Sequence, residues 1–439
     1  MKYFGTDGIR QKANKFTSDF LTLIVKGLAD YSDNNAKVLI AGDTRESTEW
    51  ILADLETALE TFGLEYGNAG VLPTPAINYC FPKMGFNYAI DVTASHNPYT
   101  DNGIKIFELN ANNTGIKLST KGCEVIESAL ESKQTYSLVS PSLREDLHTD
   151  AITIYQNHLL EYLGSADFSG LHIGMDCANG ATSVINKTIF TELGATVETI
   201  HVNDTYNTNI KKDFGSTHLE SLQNLVKENH LDFGVAFDGD GDRCLMVDHA
   251  GTVVDGDQII AILANYLHLD SIAVTVMANQ GILNWAESTS LKLEITPVGD
   301  SNVAAAMREK NIAIGGEQSG HVILPGEATG DGMLTALLVA KAISTTGKSL
   351  SELASIITKY PQVNLTLSAT PAQKSSLATS SAVKDIISQY EEKVKSIDGR
   401  LLVRPSGTED LIRITMWGNN ENDINKLAEE LKGKLANTL

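Results

Sequence analysis

Thr93-Ala94-Ser95-His96-Asn97-Pro98 follows an apolar run, Tyr88, Ala89, Ile90 and Val92, that reads as a buried strand. A second polar stretch, Asp238-Gly239-Asp240-Gly241-Asp242-Arg243, follows another such run, Phe233 to Phe237. Open α/β sheets place ligand sites at the C-terminal ends of their strands. The two stretches therefore read as a pair. Ser95 carries a phosphoryl group, and the three aspartates hold the divalent cation that neutralises it.

The spacing of the aspartates supports the second half of that reading. Carboxylates at i, i+2 and i+4 scatter around a helix but converge in a curled loop, and glycine at both intervening positions lets the backbone curl. Three carboxylates that close repel one another unless a hard cation sits between them. An EF-hand loop needs Gly after the third acidic position and a closing Glu, whereas this chain has Arg243 and His249. An all-oxygen ligand set points to Mg2+ rather than zinc.

Ser95 taken alone reads equally as a helix N-cap or a turn residue. No G-x-S-x-G elbow surrounds it, and no Ser-His-Asp order is compelling. Its neighbours His96 and Asn97, with Lys105 following in Asp101-Asn102-Gly103-Ile104-Lys105, suit phosphoryl transfer better. A phosphoserine carries about −1.5 to −2 charges and needs a metal, backbone amides and a lysine close by.

Around these loops strand and helix alternate. From residue 18, Phe20, Leu21, Ile24 and Leu28 fall on one helical face; residues 37–41 read as a strand; a helix from about residue 47 carries Ile51, Leu55 and Leu59. Such alternation predicts a parallel, doubly wound sheet. The plan recurs. Strands at 171–175 and 272–277 open two further units, whose later strands end in Asp238 to Arg243 and in Gly316-Glu317-Gln318-Ser319-Gly320-His321. The tail differs: helices near 382–394 and 422–435 flank two strands around Arg404-Pro405-Ser406-Gly407-Thr408, which suggests a smaller α+β domain. The expected limits are 1–149 with the serine loop, 150–250 with the metal loop, 251–362 with a sugar-recognition loop and 363–439 with a phosphate-binding loop.

At 439 residues the chain exceeds the roughly 250–300 at which single cores stop growing. A formal net charge of −21 argues against a general nucleic-acid or anionic-membrane binder. An anionic substrate then needs cations concentrated locally, for which Arg10, Arg45, Lys105, Arg243, Arg404 and Arg413 stand in or beside polar motifs. The four cysteines form no C-x-x-C pair, which disfavours a zinc site and a disulfide framework. No basic-then-apolar leader opens the sequence and no apolar stretch is long enough to span a bilayer, so a cytoplasmic protein is expected. Phe4-Gly5-Thr6-Asp7-Gly8-Ile9-Arg10 reads as a loop that approaches something closely. Arg404, Ser406, Gly407 and Thr408 combine a guanidinium, two hydroxyls and a flexible backbone, as a phosphate grip requires, with Arg413 on the next strand; the same residues also make an ordinary turn. Glu317 and Ser319 suit hydrogen bonds to sugar hydroxyls, or a helix start.

Taken in order, Thr93 to Pro98, Asp238 to Arg243, Gly316 to His321 and Arg404 to Thr408 resemble the four signature loops of the α-D-phosphohexomutase family. The resemblance covers nearly the whole chain. It implies four domains around a central cleft, three similar mixed-sheet α/β domains followed by a smaller C-terminal α+β domain. Within the family, Tyr3 to Arg10, Asp101 to Lys105, Gly215 to His218, Val254 to Gln258 and Gly316 to His321 are similar to the bacterial branch that acts on glucosamine phosphates. Members acting on mannose or glucose phosphates usually have Met in place of Gln318. The chain departs from that branch at Gln11, Phe214, Leu219, Ser301-Asn302 and Asp410, where Gly, Cys, Pro, Arg-Tyr and Pro are usual. The change at Ser301 removes a positive charge from a sugar-facing loop.

The resemblance implies an isomerase that interconverts glucosamine 6-phosphate and glucosamine 1-phosphate through phospho-Ser95 and a hexose 1,6-bisphosphate, which serves as intermediate or activator. It implies Mg2+ on Asp238, Asp240, Asp242 and the Ser95 phosphate. Arg10, Lys105 and His96 are then the candidates for proton handling and phosphate contact, and Arg243 lies between metal and substrate. Glu317 and Ser319 recognise the sugar; Arg404, Ser406, Gly407, Thr408 and Arg413 hold the non-reacting phosphate. The expected partner is a small sugar phosphate, with no nucleic acid and no membrane; a homodimer is left open. Three alternatives are weighed. One is the same reaction on glucose or mannose phosphates. Another is a phosphoserine-type phosphatase, which would not need a second phosphate grip. The third is a non-catalytic sensor, which predicts damage to Ser95 or the aspartates; none is seen.

Overall fold

A strand that returns after a short connection pairs antiparallel with the one it left, because a parallel return needs a dozen or more residues. That rule shapes the sheets of this chain, whose computed structural model describes all residues except 6, 141–145, 211 and 407–409. In the first sheet Lys37–Gly42 lies between Glu65–Val71 and Tyr88–Val92, all three parallel. After residues 93–100 the chain turns back, and Asp101–Leu109 pairs antiparallel with Tyr88–Val92, setting Asp91 opposite Lys105. Gly8–Lys12 continues the sheet on the other side of Asp101–Leu109, again antiparallel.

The second and third sheets repeat the plan. His172–Asp176 is parallel to Thr196–Ile200 and to Phe233–Phe237, and Cys244–Asp248 returns antiparallel with Cys244 opposite Phe237. Val253–Val254 then pairs with Cys244–Asp248, so this sheet keeps the chain as far as Val254. Ser271–Thr275 is parallel to Ile314–Gly316, and Val322–Ile323 returns antiparallel with Val322 opposite Gly316. The parallel, doubly wound sheet expected from the strand–helix alternation is therefore replaced by the mixed sheets that the family resemblance implies. The reason is local: residues 93–100, 238–243 and 317–321 are hairpin connections, too short for a crossover.

Helices cover these sheets with broad buried faces. Ser18–Tyr31 starts at Thr17, whose side chain accepts from the Phe20 amide, and it buries Leu21, Ile24 and Leu28 completely. Each of those side chains contributes about 1.5–3 kcal/mol.

The chain forms two compact bodies, Met1–Val276 with Glu294–Ser355, and Met277–Leu293 with Ile356–Leu439. The second holds an antiparallel sheet in the order Gln362–Ser368, Leu411–Trp417, Arg400–Pro405, backed by Ser381–Lys395 and Glu421–Thr438. Two strands were expected there and three are found. The extra one, Gln362–Ser368, alternates Val363, Leu365 and Leu367 with polar residues and follows Pro361 directly. Helix Gln280–Ser288 belongs to this body, because Asn279 exchanges hydrogen bonds with the Tyr360 backbone at 2.9 and 3.0 Å. No helix among the described residues is long and apolar enough to cross a membrane.

Candidate active site

Ser95 is buried at the tip of the first hairpin with φ +50°, a left-handed conformation that a non-glycine residue adopts only when its surroundings hold it. Arg45 holds it. Its guanidinium, with no solvent exposure, donates to the carbonyls of Ser95 and Asn97 at 2.9 Å, of Pro98 at 2.7 Å and of Asp101 at 3.2 Å. Asp43 accepts from Arg45 Nε at 2.9 Å and from the Thr93 hydroxyl at 2.7 Å. Arg45 was expected among the cations that attract an anionic substrate. It serves the backbone of the serine loop instead, because every direction its guanidinium can donate is taken up by carbonyls and Asp43.

The metal loop meets the serine loop directly. Ser95 Oγ donates to Asp238 Oδ2 at 2.8 Å and lies 3.3 Å from His96 Nδ1, on an exposed imidazole. The approach depends on Gly239, where a Cβ would stand 2.7 Å from the Ser95 carbonyl. Asp238, Asp240 and Asp242 are buried and each presents an oxygen within 4.8 Å of the other two. Asp240 Oδ1 and Asp242 Oδ1 are buried without a hydrogen-bond partner. Orphaned carboxylate oxygens at such a depth are costly unless a cation takes them, so these residues fit a hard, oxygen-seeking divalent ion. Thr74 steadies the loop from the first domain: its amide donates to the Asp240 carbonyl at 2.9 Å, and its hydroxyl lies 2.5 Å from Asp91 Oδ2 and 3.2 Å from Asp240 Oδ2. Burial pushes Asp91 well above the usual carboxylate range.

Lys105 Nζ sits 2.8 Å from Asp240 Oδ2, 3.4 Å from Asp7 Oδ2 and 3.5 Å from Asp242 Oδ2. Burial opposes its charge, but Asp240, Asp7 and Asp242 outweigh it and hold the ammonium well above its ordinary range. Asp242 is the converse: burial resists ionisation, while Lys105, His321 and Arg243 keep its carboxyl far below the usual range. Arg243 donates its amide to Asp238 Oδ1 at 3.3 Å, and its side chain lies 3.6 Å from Asp242. Arg10 pairs with Asp7 at 2.5 Å, and Lys117 pairs with Asp7 and with Asp300, each at 2.5 Å. The structure thus brings Ser95, His96, Lys105, Arg243 and the three aspartates into one cluster, which Arg10 reaches through Asp7.

The third hairpin tip lies against this cluster. The Cys244 amide donates to the Gly320 carbonyl at 3.1 Å, and His321 Nδ1 is 3.5 Å from Asp242 Oδ2. Glu317 is half-buried and accepts from the Gly299 amide at 3.1 Å; Ser319 is exposed. Gln318 reaches Asp255 at 3.4 Å, and the Gln318 carbonyl accepts from the Gly256 amide at 3.1 Å. Gly256 is required there, since a Cβ would stand 2.1 Å from the Glu317 carbonyl. In the second body Arg404 and Arg413 face each other across the hairpin, which concentrates positive charge, and Ser406 is buried beside them. Gly407 and Thr408 lie outside the described residues. Sequence reading gave no role to Asp7, Thr74, Lys117, Asp300 or His321. The polar motifs around Asp7 and His321 were the available signals; nothing along the chain connects Lys117 to Asp300.

Successive mixed-sheet domains whose hairpin tips gather one serine and a buried carboxylate cluster define a class of multidomain α/β enzyme. Family models described as "Phosphoglucomutase/phosphomannomutase, alpha/beta/alpha domain" I, II and III match residues 1–137, 153–251 and 255–360, and the C-terminal domain model of the same family matches 366–434. The chain belongs to this family and is a phosphohexomutase, an isomerase of four domains. It is 41% identical to a phosphoglucosamine mutase of Caldicellulosiruptor bescii, over 100% of this chain and 99% of that protein. Its fold is similar to the crystal structure of a putative phosphomannomutase from Thermus thermophilus, with TM-score 0.76 and 20% identity over 98% of each chain. It is also similar to the Aspergillus fumigatus N-acetylphosphoglucosamine mutase in complex with GlcNAc-6P and magnesium, with TM-score 0.64 and 18% identity over 99% and 95% of the two chains.

Proposed function

We propose that this enzyme interconverts glucosamine 6-phosphate and glucosamine 1-phosphate through a phosphoserine at Ser95. The contact that carries the chemistry is Ser95 Oγ against Asp238 Oδ2 at 2.8 Å, which sets a nucleophile beside a cation-ready carboxylate cluster. The choice of sugar rests on the relative named above. Phospho-Ser95 gives its phosphoryl to the free sugar hydroxyl: the P–O bond to the serine breaks, the P–O bond to the sugar forms, and a 1,6-bisphosphate results. The bisphosphate turns round; the P–O bond to the sugar's other oxygen breaks as one to Ser95 Oγ forms, and the serine hydroxyl proton passes to that sugar oxygen. His96, within reach of Ser95 Oγ and open to solvent, is the group suited to moving those protons, while Lys105, held charged, is suited to contacting the phosphate. Asp238, Asp240, Asp242 and the serine phosphate would hold Mg2+, which supplies charge neutralisation at the transferring group.

Arg243 and Lys105 compensate the local excess of carboxylates in a chain of net charge −21. Glu317 and Ser319 read the sugar hydroxyls, and Arg404, Ser406, Gly407, Thr408 and Arg413 hold the phosphate that is not reacting. The domain limits 1–149, 150–250, 251–362 and 363–439 belong to the same proposal. A second reading, glucose or mannose phosphate as substrate, is favoured by one observation: Ser301 brings no positive charge to the first turn of helix Asp300–Lys310.

The test is a substrate panel. Purified enzyme with Mg2+ and a trace of glucose 1,6-bisphosphate is given glucosamine, glucose and mannose 1-phosphates. The expected result is a higher kcat/KM for the amino sugar; preference for glucose or mannose phosphate selects the second reading. Ser95→Ala should abolish turnover and still bind sugar phosphate, and full activity in that variant rules out the phosphoenzyme.

A further inference from the structure

The proposed reaction makes one demand that its bond changes do not meet. The bisphosphate must let go of its contacts, turn round and be used again without escaping. We propose that Lys117 is a positioning residue that holds Asp300 of the third domain against the first domain while the intermediate turns; this rests on the mutase reading above.

The geometry is that of a clasp. Lys117 ends strand Gly115–Lys117, which pairs with the strand carrying Lys105. Its ammonium lies 2.5 Å from Asp7 Oδ1 and 2.5 Å from Asp300 Oδ2, with Ser301 Oγ at 3.5 Å. Asp7 is tied on its other oxygen to Arg10 and lies near Lys105, so one end of the clasp is the cluster beside the metal loop. Asp300 opens helix Asp300–Lys310 directly after Gly299, whose amide is taken by Glu317. The other end is therefore the sugar-recognition loop.

Three features make this more than a surface ion pair. The side chains of Lys117, Asp7 and Asp300 are only 28%, 20% and 16% exposed, so solvent and salt screen them little. One ammonium serves two carboxylates; removing it takes away the nearest cation of Asp300, while Asp7 keeps Arg10 and Lys105, so the attraction across the seam is lost. The seam around it is not packed solid: a cavity of about 90 Å3 lies among Phe107, Ile116, Lys117, Asp300, Ser301 and His321. The charge bridge therefore spans the seam beside a gap in its packing.

The test uses the full chain in two arms. In Lys117→Met, hydrogen exchange of the Asn302 and Val303 amides, which bond to the Gly299 carbonyl, should speed up by about tenfold as the turn opens more often. In the second arm, phosphorylated enzyme is given glucosamine 6-phosphate, and 1,6-bisphosphate released to solution is compared with 1-phosphate formed. The ratio should rise by about tenfold in Lys117→Met, with phosphoserine formation from glucose 1,6-bisphosphate changed by less than about twofold, and Lys117→Arg should restore both arms. A merely structural role would lower the melting temperature without moving the release ratio. Unchanged exchange in Lys117→Met overturns the clasp, and faster exchange with an unchanged release ratio overturns its part in retention. If the wild-type enzyme turns over no sugar phosphate, the mutase reading and retention fall together, and the exchange arm still decides whether Lys117 joins the two domains.

Discussion

The serine loop and the sugar loop are both hairpin tips, and they are built in opposite ways. Ser95 is buried in a left-handed conformation, with its own carbonyl and those of Asn97, Pro98 and Asp101 gripped by Arg45. Glu317 and Gln318 are only half-buried and Ser319 is exposed, with the loop backbone resting on Gly256. The difference suits what each loop is proposed to handle. A phosphoryl group in transfer needs donors and charges fixed beforehand, since reorganising them during the reaction would raise the barrier. A sugar that must present first one end and then the other needs contacts that can be made, released and made again.

Breaking the rigid side should have the largest effect. Arg45→Met leaves Asp43 buried without its cation and strips the serine loop of its donors. The expected loss is about 3–5 kcal/mol in denaturant unfolding, and a loss below about 1 kcal/mol would show that the loop holds its own shape. The connection behind the sugar loop should be weaker and should depend on pH. Asp331 caps helix Gly332–Thr346, accepts from the Tyr155 hydroxyl and is pushed up to about 6 by burial. A carboxyl whose folded value exceeds its unfolded one holds its proton more tightly when folded, so its contribution to stability falls as pH rises from about 4 to 6. Wild type should lose about 2 kcal/mol relative to Asp331→Asn across that window; parallel stability curves for the two proteins would refute it.

Thr74→Val sharpens the comparison on the metal side. It removes the hydroxyl between Asp91 and Asp240, and should cost about 1–3 kcal/mol of stability and weaken Mn2+ binding about 10–100-fold, read by paramagnetic resonance. Unaltered Mn2+ affinity would mean that Asp240 needs no orientation from the first domain. The smallest structural effect is expected on the open side. Ser319→Ala should change stability by less than about 0.5 kcal/mol, while kcat/KM for the sugar phosphate falls about tenfold. A large stability loss there would erase the contrast between the two loops.

Much of the site was legible along the chain because its chemistry is written in short motifs. Three aspartates separated by glycines, and a serine between a strand and His96, announce themselves without a fold. The mixed sheets followed from the family resemblance, and the alternation alone could also have led to them, since the stretches between the paired strands are too short for parallel crossovers. Strand Gln362–Ser368 carried a two-residue alternation of Val363, Leu365 and Leu367, masked by the proline before it. Arg45 misled because an arginine beside a polar motif reads the same whether it meets a substrate or a backbone carbonyl. Its depth separates the two, and burial is not a property of a motif.

The sequence by itself determined the four-domain plan and the carboxylate cluster, and it supplied the reading of Ser95 as the nucleophile, because apolar periodicity and residue chemistry over a few positions suffice for those. Only the tertiary structure decided which partners act together: Arg45 with the serine loop, Thr74 with Asp240, and Lys117 with both Asp7 and Asp300. These pairs are separated by tens to hundreds of residues, and a charge or a hydroxyl carries no mark of its distant partner. Their meaning comes from burial, which makes each unpaired group costly and so selects the one arrangement that satisfies them together.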